Sequence, residues 1–289
     1  MSKFKDALKA GKFVVTSEVG PPKGTDISKV MEEIELLRDK VTAINVTDIQ
    51  SAVMRLGSAA ICHFVKDKGL EPVFQMVCRD RNRLALQSDL LSASVLGIEN
   101  VLCLTGDYPT LGDHPQAKPV FDLDSVQLLA AAKGLCEGHD MAGNKLEGSP
   151  DLFLGAVVTP GADPIEPQII KMEKKIKAGA QFFQTQAVYE VDKFASFMEK
   201  VKHLNIPVLA GIVVLKGPKM AEFMNNNVAG VHVPESIINE LKASTDKAKT
   251  SIEISARLIK ELKGLCQGVH IMPLGWGHHV PAILSSAGL

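Results

Sequence analysis

The chain lacks the cysteine spacing of a metal or cluster protein. Its five cysteines (Cys62, Cys78, Cys103, Cys136 and Cys266) are odd in number and scattered, with no CxxC pair. That removes iron–sulfur and structural zinc sites within this chain from consideration. Cys103 lies in the apolar run VLCL and reads as core. His278 and His279 have no accompanying ligand motif, so a surface or helix N-terminal role is expected of them and no metal. An excess of one charge is missing too. With a formal net charge of -1 and 22% charged residues, there is no electrostatic case for nucleic acid or an anionic membrane surface. The one basic stretch, KMEKKIK at 171–177, reads as the wet face of a helix. No segment approaches the roughly 20 apolar residues that cross a bilayer. MSKFKDALKAGK patterns as a charged amphipathic helix rather than a signal peptide, so a cytoplasmic, thiol-reducing location is expected. Neither GxGxxG after the first apolar run nor GxxxxGK(S/T) occurs, which takes the main support from Rossmann-type nicotinamide sites and from P-loops.

What is present is an alternation. Of the 289 residues 46% are hydrophobic, and they gather in short runs separated by amphipathic stretches. The runs are FVVTSEV (13–19), AINVTD (43–48), PVFQMVC (72–78), NVLCLTG (100–106), LFLGAVV (152–158), QFFQTQ (181–186), PVLAGIVV (207–214) and GVHIMPL (268–274). Helical patterns such as DISKVMEEIELLRDK and DKAKTSIEISARLIKELKG lie between them, and HVPAILSSAG supplies a final one. Gly69, Gly97, Gly179 and Gly264 stand where left-handed helix caps are expected. Repeated strand–helix units imply a parallel sheet covered by helices. Eight of them predict a single (β/α)8 TIM barrel over residues 1–289 with a short N-terminal helix. A polar insert, GDYPTLGDHPQAKPVFDL, follows the fourth strand, and the seventh helix is expected to break at VHVPES.

In such a barrel the active site lies at the C-terminal strand ends. Polar residues gather there: Glu18, Thr47 with Asp48, Gln75, Thr105 with Asp107, Thr159, and Gln184 with Gln186. The strand starts carry Lys12, Thr42, Glu71 and Asn205, expected to be ordinary solvent-facing residues. Glu18 and Asp107 are therefore expected to converge on one mouth. A solvated strand end is the plain alternative for Glu18 alone, and any barrel rim is polar. Glu18 ends an apolar strand ahead of the stiff Pro21-Pro22, and burial raises a carboxyl pKa toward the range of a general acid. In LTGD, Gly106 lets backbone approach a ligand and Asp107 supplies an anion beside it. The amides of Gln184 and Gln186 suit the edge of a heteroaromatic ring such as a pterin or flavin.

The order SEVGPP, VTD, LTGD, KKIKAGAQFFQTQ resembles the methylenetetrahydrofolate reductase family. Its corresponding stretches read roughly F-E-F-x-P-P, R/T-G-D and K-x-x-A-G-A…T-Q. The likeness runs from Glu18 to the terminal PAILSSAGL. It implies a (β/α)8 barrel with a non-covalent flavin, FAD or alternatively FMN, that reduces 5,10-methylenetetrahydrofolate to 5-methyltetrahydrofolate in one-carbon metabolism. By the same resemblance Glu18 matches the catalytic acid that opens the five-membered ring. Asp107 matches the aspartate near flavin and pterin, and Gln186 matches the glutamine on the pterin, with Gln184 the weaker choice. Thr47, Gly106, Phe121 and Lys175 fall on flavin-contacting positions. Gln75 stands where the family has a flavin-side histidine, and Thr105 and Thr159 join the expected cofactor set at their strand ends. For Lys175 a solvated helix face, and for Phe121 plain loop packing, are the alternatives.

The match fails in places. VVTPGADPIEPQ (157–168) has no histidine, Pro218 stands where an aromatic covers the substrate, and Trp276 in MPLGWGHH replaces the Y-T-L-N-R arginine. These departures look like the anaerobe, acetogen-type reductase subunit, which works with a zinc or iron–sulfur electron-transfer partner and as an oligomer. Two other readings use the same barrel: a pterin-binding methyltransferase without flavin, and a non-catalytic folate-binding subunit of a larger complex.

Overall fold

The computed structural model describes residues 2–289. Its strands follow the apolar runs to within two residues at every end. They are β1 (Val14–Val19), β2 (Ala43–Val46), β3 (Pro72–Val77), β4 (Asn100–Leu104), β5 (Phe153–Val158), β6 (Phe182–Ala187), β7 (Val208–Val213) and β8 (Gly268–Met272). All pair in parallel and in sequence order, and β8 returns to β1 with Val14 opposite Gly268 and Ser17 opposite Ile271, so the barrel is closed.

The helices are α1 (Lys3–Lys9), α2 (Ser28–Leu37), α3 (Ser58–Asp67), α4 (Arg83–Val95), α5 (Ser125–Cys136), α6 (Glu166–Lys177) and α7 (Val191–Val201). They continue with α8 (Pro218–Asn227), α9 (Glu235–Ala243), α10 (Lys247–Leu262) and α11 (Val280–Ala287). The break at VHVPES separates α8 from α9. Side-chain caps start several of them. Asn82 accepts from Leu84 N and Ala85 N, and Asp124 forms a capping box with Gln127. Among the described residues no helix is long and apolar enough to cross a membrane.

Two sequence expectations change. Gly69, Gly97 and Gly179 have positive φ as caps require, but Gly264 does not. There α10 closes on Lys263 in the right-handed region, and Lys263 N donates to Ile259 O. Glu71 is buried rather than solvent-facing. It accepts from Asn100 Nδ2 at 3.3 Å and pairs with Lys66 at 3.6 Å, which together offset the cost of taking its charge out of water.

Strand alternation divides the apolar residues into two bodies. Outward-facing positions such as Val15, Ile44, Phe74, Val101, Leu154, Phe183, Ala210 and Val269 pack under the helices. Inward-facing Val14, Ala43, Val73, Leu102, Phe153, Phe182 and Leu209 fill the N-terminal end of the barrel. α1 closes that end. Phe4 and Leu8 join the inner cluster, and the Phe4 ring meets Phe182 edge-on at 5.1 Å and Phe153 at 5.7 Å. Gly155 makes room for this, since a Cβ there would run into the Phe182 ring. The lower half of the barrel is thus solid, and any ligand must enter from the other end.

The cysteines behave as buried hydrophobes. Burial pushes the thiols of Cys62 and Cys103 up, and that of Cys78 to about 12. A soluble alkylating reagent at pH 8 is therefore expected to label Cys136, the one partly exposed thiol, ahead of the other four. Mass spectrometry should show one early adduct on the native chain and five after denaturation; rapid multiple labelling of the native chain contradicts this burial.

Candidate active site

Above the apolar plug, four inward side chains form a buried polar floor: Thr16 on β1, Asn45 on β2, Gln184 on β6 and His270 on β8. Asn45 and Gln184 exchange amide hydrogen bonds across the barrel. Asn45 Nδ2 donates to Gln184 Oε1 at 2.9 Å, and Gln184 Nε2 donates to Asn45 Oδ1 at 3.2 Å and to Thr16 Oγ1 at 3.3 Å. Thr16 Oγ1 then lies 2.9 Å from His270 Nδ1. With the threonine lone pair engaged by Gln184, its hydroxyl proton is free to point at Nδ1, which leaves the Nε2 proton on the opposite edge of the ring. That edge faces Glu18, whose Oε2 is 3.7 Å away.

Glu18 is 7% exposed, so it is not a solvated strand end. Beyond His270, it accepts from Gln50 Nε2 at 3.3 Å. It lines a cavity of about 320 Å³ at the C-terminal end of the strands, together with Gln75, Thr105, Gly106, Asp107, Gln184 and Gln186. The two carboxylates, 89 residues apart by the numbers 18 and 107, share this one mouth. Glu18 is held deep and Asp107 is exposed at the rim. One carboxyl shielded from water and one open to it thus face the same cavity.

The walls are built from three consecutive strand ends. After β2, Asp48 is clamped: its Oδ2 accepts from Val77 N at 2.9 Å and Arg81 Nη1 at 2.7 Å, and its Oδ1 accepts from Arg81 Nη2 at 3.1 Å. After β4, Gly106 turns with φ +94°, and a Cβ there would press on Val77 Cβ at 3.1 Å and Arg79 Cβ at 3.2 Å. Between them Arg79 is almost wholly buried and lines the cavity.

Not every expected residue is brought here. Gln184 reaches the cavity, but its amide is occupied by the floor, whereas Gln186 is exposed beside it. The β6–β7 register shifts between Gln184 and Ala187. Thr47 is outside the lining, buried, with an Oγ1 that has no hydrogen-bond partner. Phe121 is outside the lining and packs on Tyr108 at 5.3 Å between ring centroids. Thr159 is outside as well, so tightly placed that a Cβ on Gly230 would strike its methyl.

Lys175 is neither on a wet helix face nor in the lining. It is buried in the helix layer, and its Nζ donates to Val157 O at 2.5 Å. Burial, and then the nearby Lys171 charge, lower its pKa from 10.5 to about 8. Below pH 8 both folded and unfolded chains hold this proton, and the folded chain bears the burial cost. Between about 8 and 10.5 the unfolded chain keeps a proton that the folded chain has released, so stability rises with pH. Relative to Lys175→Met, the wild type should gain up to about 3 kcal/mol across that window in urea titrations. Taking the difference cancels the thiols, whose raised pKa values act with the opposite sign in both proteins. A pH-independent difference contradicts the buried ammonium.

Residues that the sequence did not single out complete the site: His270, Asn45, Thr16, Gln50 and Arg79. Four of the five have a visible signal. Thr16, Asn45 and His270 are polar residues at the inward parity of apolar strands, and Gln50 lies two residues beyond the VTD strand end. Arg79 in VCRDRN has none, because arginine is ordinarily exposed.

A profile of the family described as methylenetetrahydrofolate reductase matches residues 3–288. Methylenetetrahydrofolate reductase 2 of Schizosaccharomyces pombe is 25% identical over 310 residues, covering 98% of this chain and 47% of the yeast protein. 5,10-Methylenetetrahydrofolate reductase of Pectobacterium carotovorum is 24% identical over 221 residues, covering 73% of this chain and 67% of that one. The chain thus spans about half the yeast relative's length, and 33% of a probable NADPH-type reductase of Caenorhabditis elegans. Among solved structures, an uncharacterized Clostridium thermocellum protein that binds two copies of 5-methyl-5,6,7,8-tetrahydrofolic acid superposes with a TM-score of 0.65 at 17% identity. It covers 98% of this chain and 97% of its own. A 2,3-dimethylmalate lyase reaches 0.54 at 12% identity, covering 99% of this chain and 85% of its own. These two likenesses speak to the barrel alone.

Proposed function

The chain belongs to the methylenetetrahydrofolate reductase family, and from that premise we propose that it interconverts 5,10-methylenetetrahydrofolate and 5-methyltetrahydrofolate with a bound flavin. The observation that carries this reading is the sharing of one cavity by Glu18 and Asp107 with the free amide of Gln186 beside them. A buried carboxyl is a fitting acid for the ring nitrogen whose C–N bond must break, and a rim carboxylate is a fitting counter-charge for the iminium that results. Gln186 offers one donor and one acceptor to the pterin edge.

In the reductive direction, Glu18 gives its proton to N10 as the N10–methylene bond opens, leaving a cation at N5 that Asp107 stabilises. His270, 3.7 Å behind Glu18, orients the carboxyl, with Thr16 and Gln184 fixing the ring, and the carboxylate regains its proton from water entering at the cavity mouth. A reduced flavin would supply the hydride that converts the exocyclic methylene to methyl. The residues present fit such a ring. Gln75, Thr105 and Gly106 line the wall with amide, hydroxyl and backbone groups that the edge of such a ring can use. FAD is the family's usual flavin and FMN the alternative. For electron supply we favour a zinc or iron–sulfur partner subunit. Exposed Met54, Tyr108 and Leu111, on the loops that follow β2 and β4, would suit such a contact. Steady NADH oxidation by the isolated chain, as fast as folate reduction, would count against that donor.

Two measurements test the proposal: the identity of any flavin released from the purified chain, and calorimetric titration with 5-methyltetrahydrofolate. Flavin release with saturable folate binding is expected. Folate binding by a chain that never takes up flavin would favour the methyltransferase or binding-subunit readings.

A further inference from the structure

We propose that Arg79 is a positioning residue, a buried strut that holds the Gln50–Glu18 side and the Asp107 side of the cavity at a fixed separation. This goes beyond the proposed reaction but rests on it for its catalytic consequence. Arg79 stands on the middle of three walls, and its guanidinium reaches both neighbours. Nη2 donates to Ile49 O at 3.1 Å, and Nη1 donates to Asp107 O at 3.2 Å. The fork itself is held by Asp80, through Nε to Oδ1 at 2.9 Å and Nη2 to Oδ2 at 2.8 Å.

Neither neighbour is held well by local structure. The loop after β2 carries Ile49, Ser51 and Ala52 at φ of 46°, 56° and 56°. A left-handed β-branched residue is costly, on the order of 1–3 kcal/mol, and persists only where its surroundings impose it. This loop presents Gln50 to Glu18. On the other side a Cβ at Gly106 would press on Arg79 Cβ, and the next residue, Asp107, has its carbonyl tied to the guanidinium while its carboxylate is left for the cavity. One planar, permanently charged group thus bridges the two segments, and its fixed fork is what a lysine cannot reproduce.

The test is Arg79→Lys, which keeps the charge and the aliphatic stem. Hydrogen exchange followed by mass spectrometry should rise at least about tenfold in peptides covering both 48–54 and 104–112, while the rest of the barrel is unchanged. With 5-methyltetrahydrofolate and an artificial electron acceptor, kcat should fall about tenfold or more while KM moves less than about threefold, because geometry rather than affinity is lost. Exchange confined to 77–82, or loosened loops with kcat intact, overturns the proposal. If the lysine variant does not fold, Asp80→Asn is used instead. It should raise exchange in both peptides together, and a rise in neither overturns the strut. A wild type without folate turnover would sink the proposed reaction, yet the exchange result would still judge the strut.

Discussion

Glu18→Gln is expected to lower methyltetrahydrofolate turnover by roughly 10²- to 10⁴-fold, the range that positioned acid–base groups supply, and to leave folate and flavin binding intact. Glutamine has nearly the same volume, so the apolar strand end closes around it as before. It still accepts from Gln50 in the same buried space, so no destabilisation is expected. It has no acidic proton to give to N10 or to regain. Comparing kcat with the calorimetric Kd separates these effects. Lost binding with unchanged kcat would instead make Glu18 a contact residue.

The second large effect lies at the far end of the barrel. Phe4→Ala should cost about 3–5 kcal/mol, since the ring is fully buried between Phe153 and Phe182 and no neighbour can fill the space without strain. For a chain of this size that is a fall on the order of 10 °C in Tm. The cavity mouth is at the opposite end of the strands, so turnover measured well below the new Tm should be unchanged. Urea denaturation gives the first quantity and the standard assay the second. A cost under about 1 kcal/mol would mean that α1 is a loose appendage and not the floor of the barrel.

The strands were legible because a parallel sheet covered by helices writes itself as separated apolar runs, and the convergence of Glu18 and Asp107 followed from strand ends alone. The polar floor was not seen. Thr16, Asn45 and His270 sit at inward parity inside those runs, but parity has meaning only once the barrel axis is fixed. Lys175 misled for a related reason: a lysine in KMEKKIK looks solvated, and only the packing of α6 on β5 buries it. Arg79 needed carbonyl partners from two other strand ends, Ile49 and Asp107, besides its neighbour Asp80, a coincidence visible only in three dimensions. Phe121 was carried by family position and Thr159 by its place at a strand end, and each packs on a neighbouring loop residue outside the lining.

The most direct measurement is the flavin absorbance of the loaded chain after anaerobic addition of 5-methyltetrahydrofolate. Bleaching near 450 nm, with methylenetetrahydrofolate formed in equal amount by the wild type and none by Glu18→Gln, is the predicted outcome. An unbleached spectrum in wild-type protein saturated with folate, or bleaching that Glu18→Gln leaves as fast as before, would contradict it.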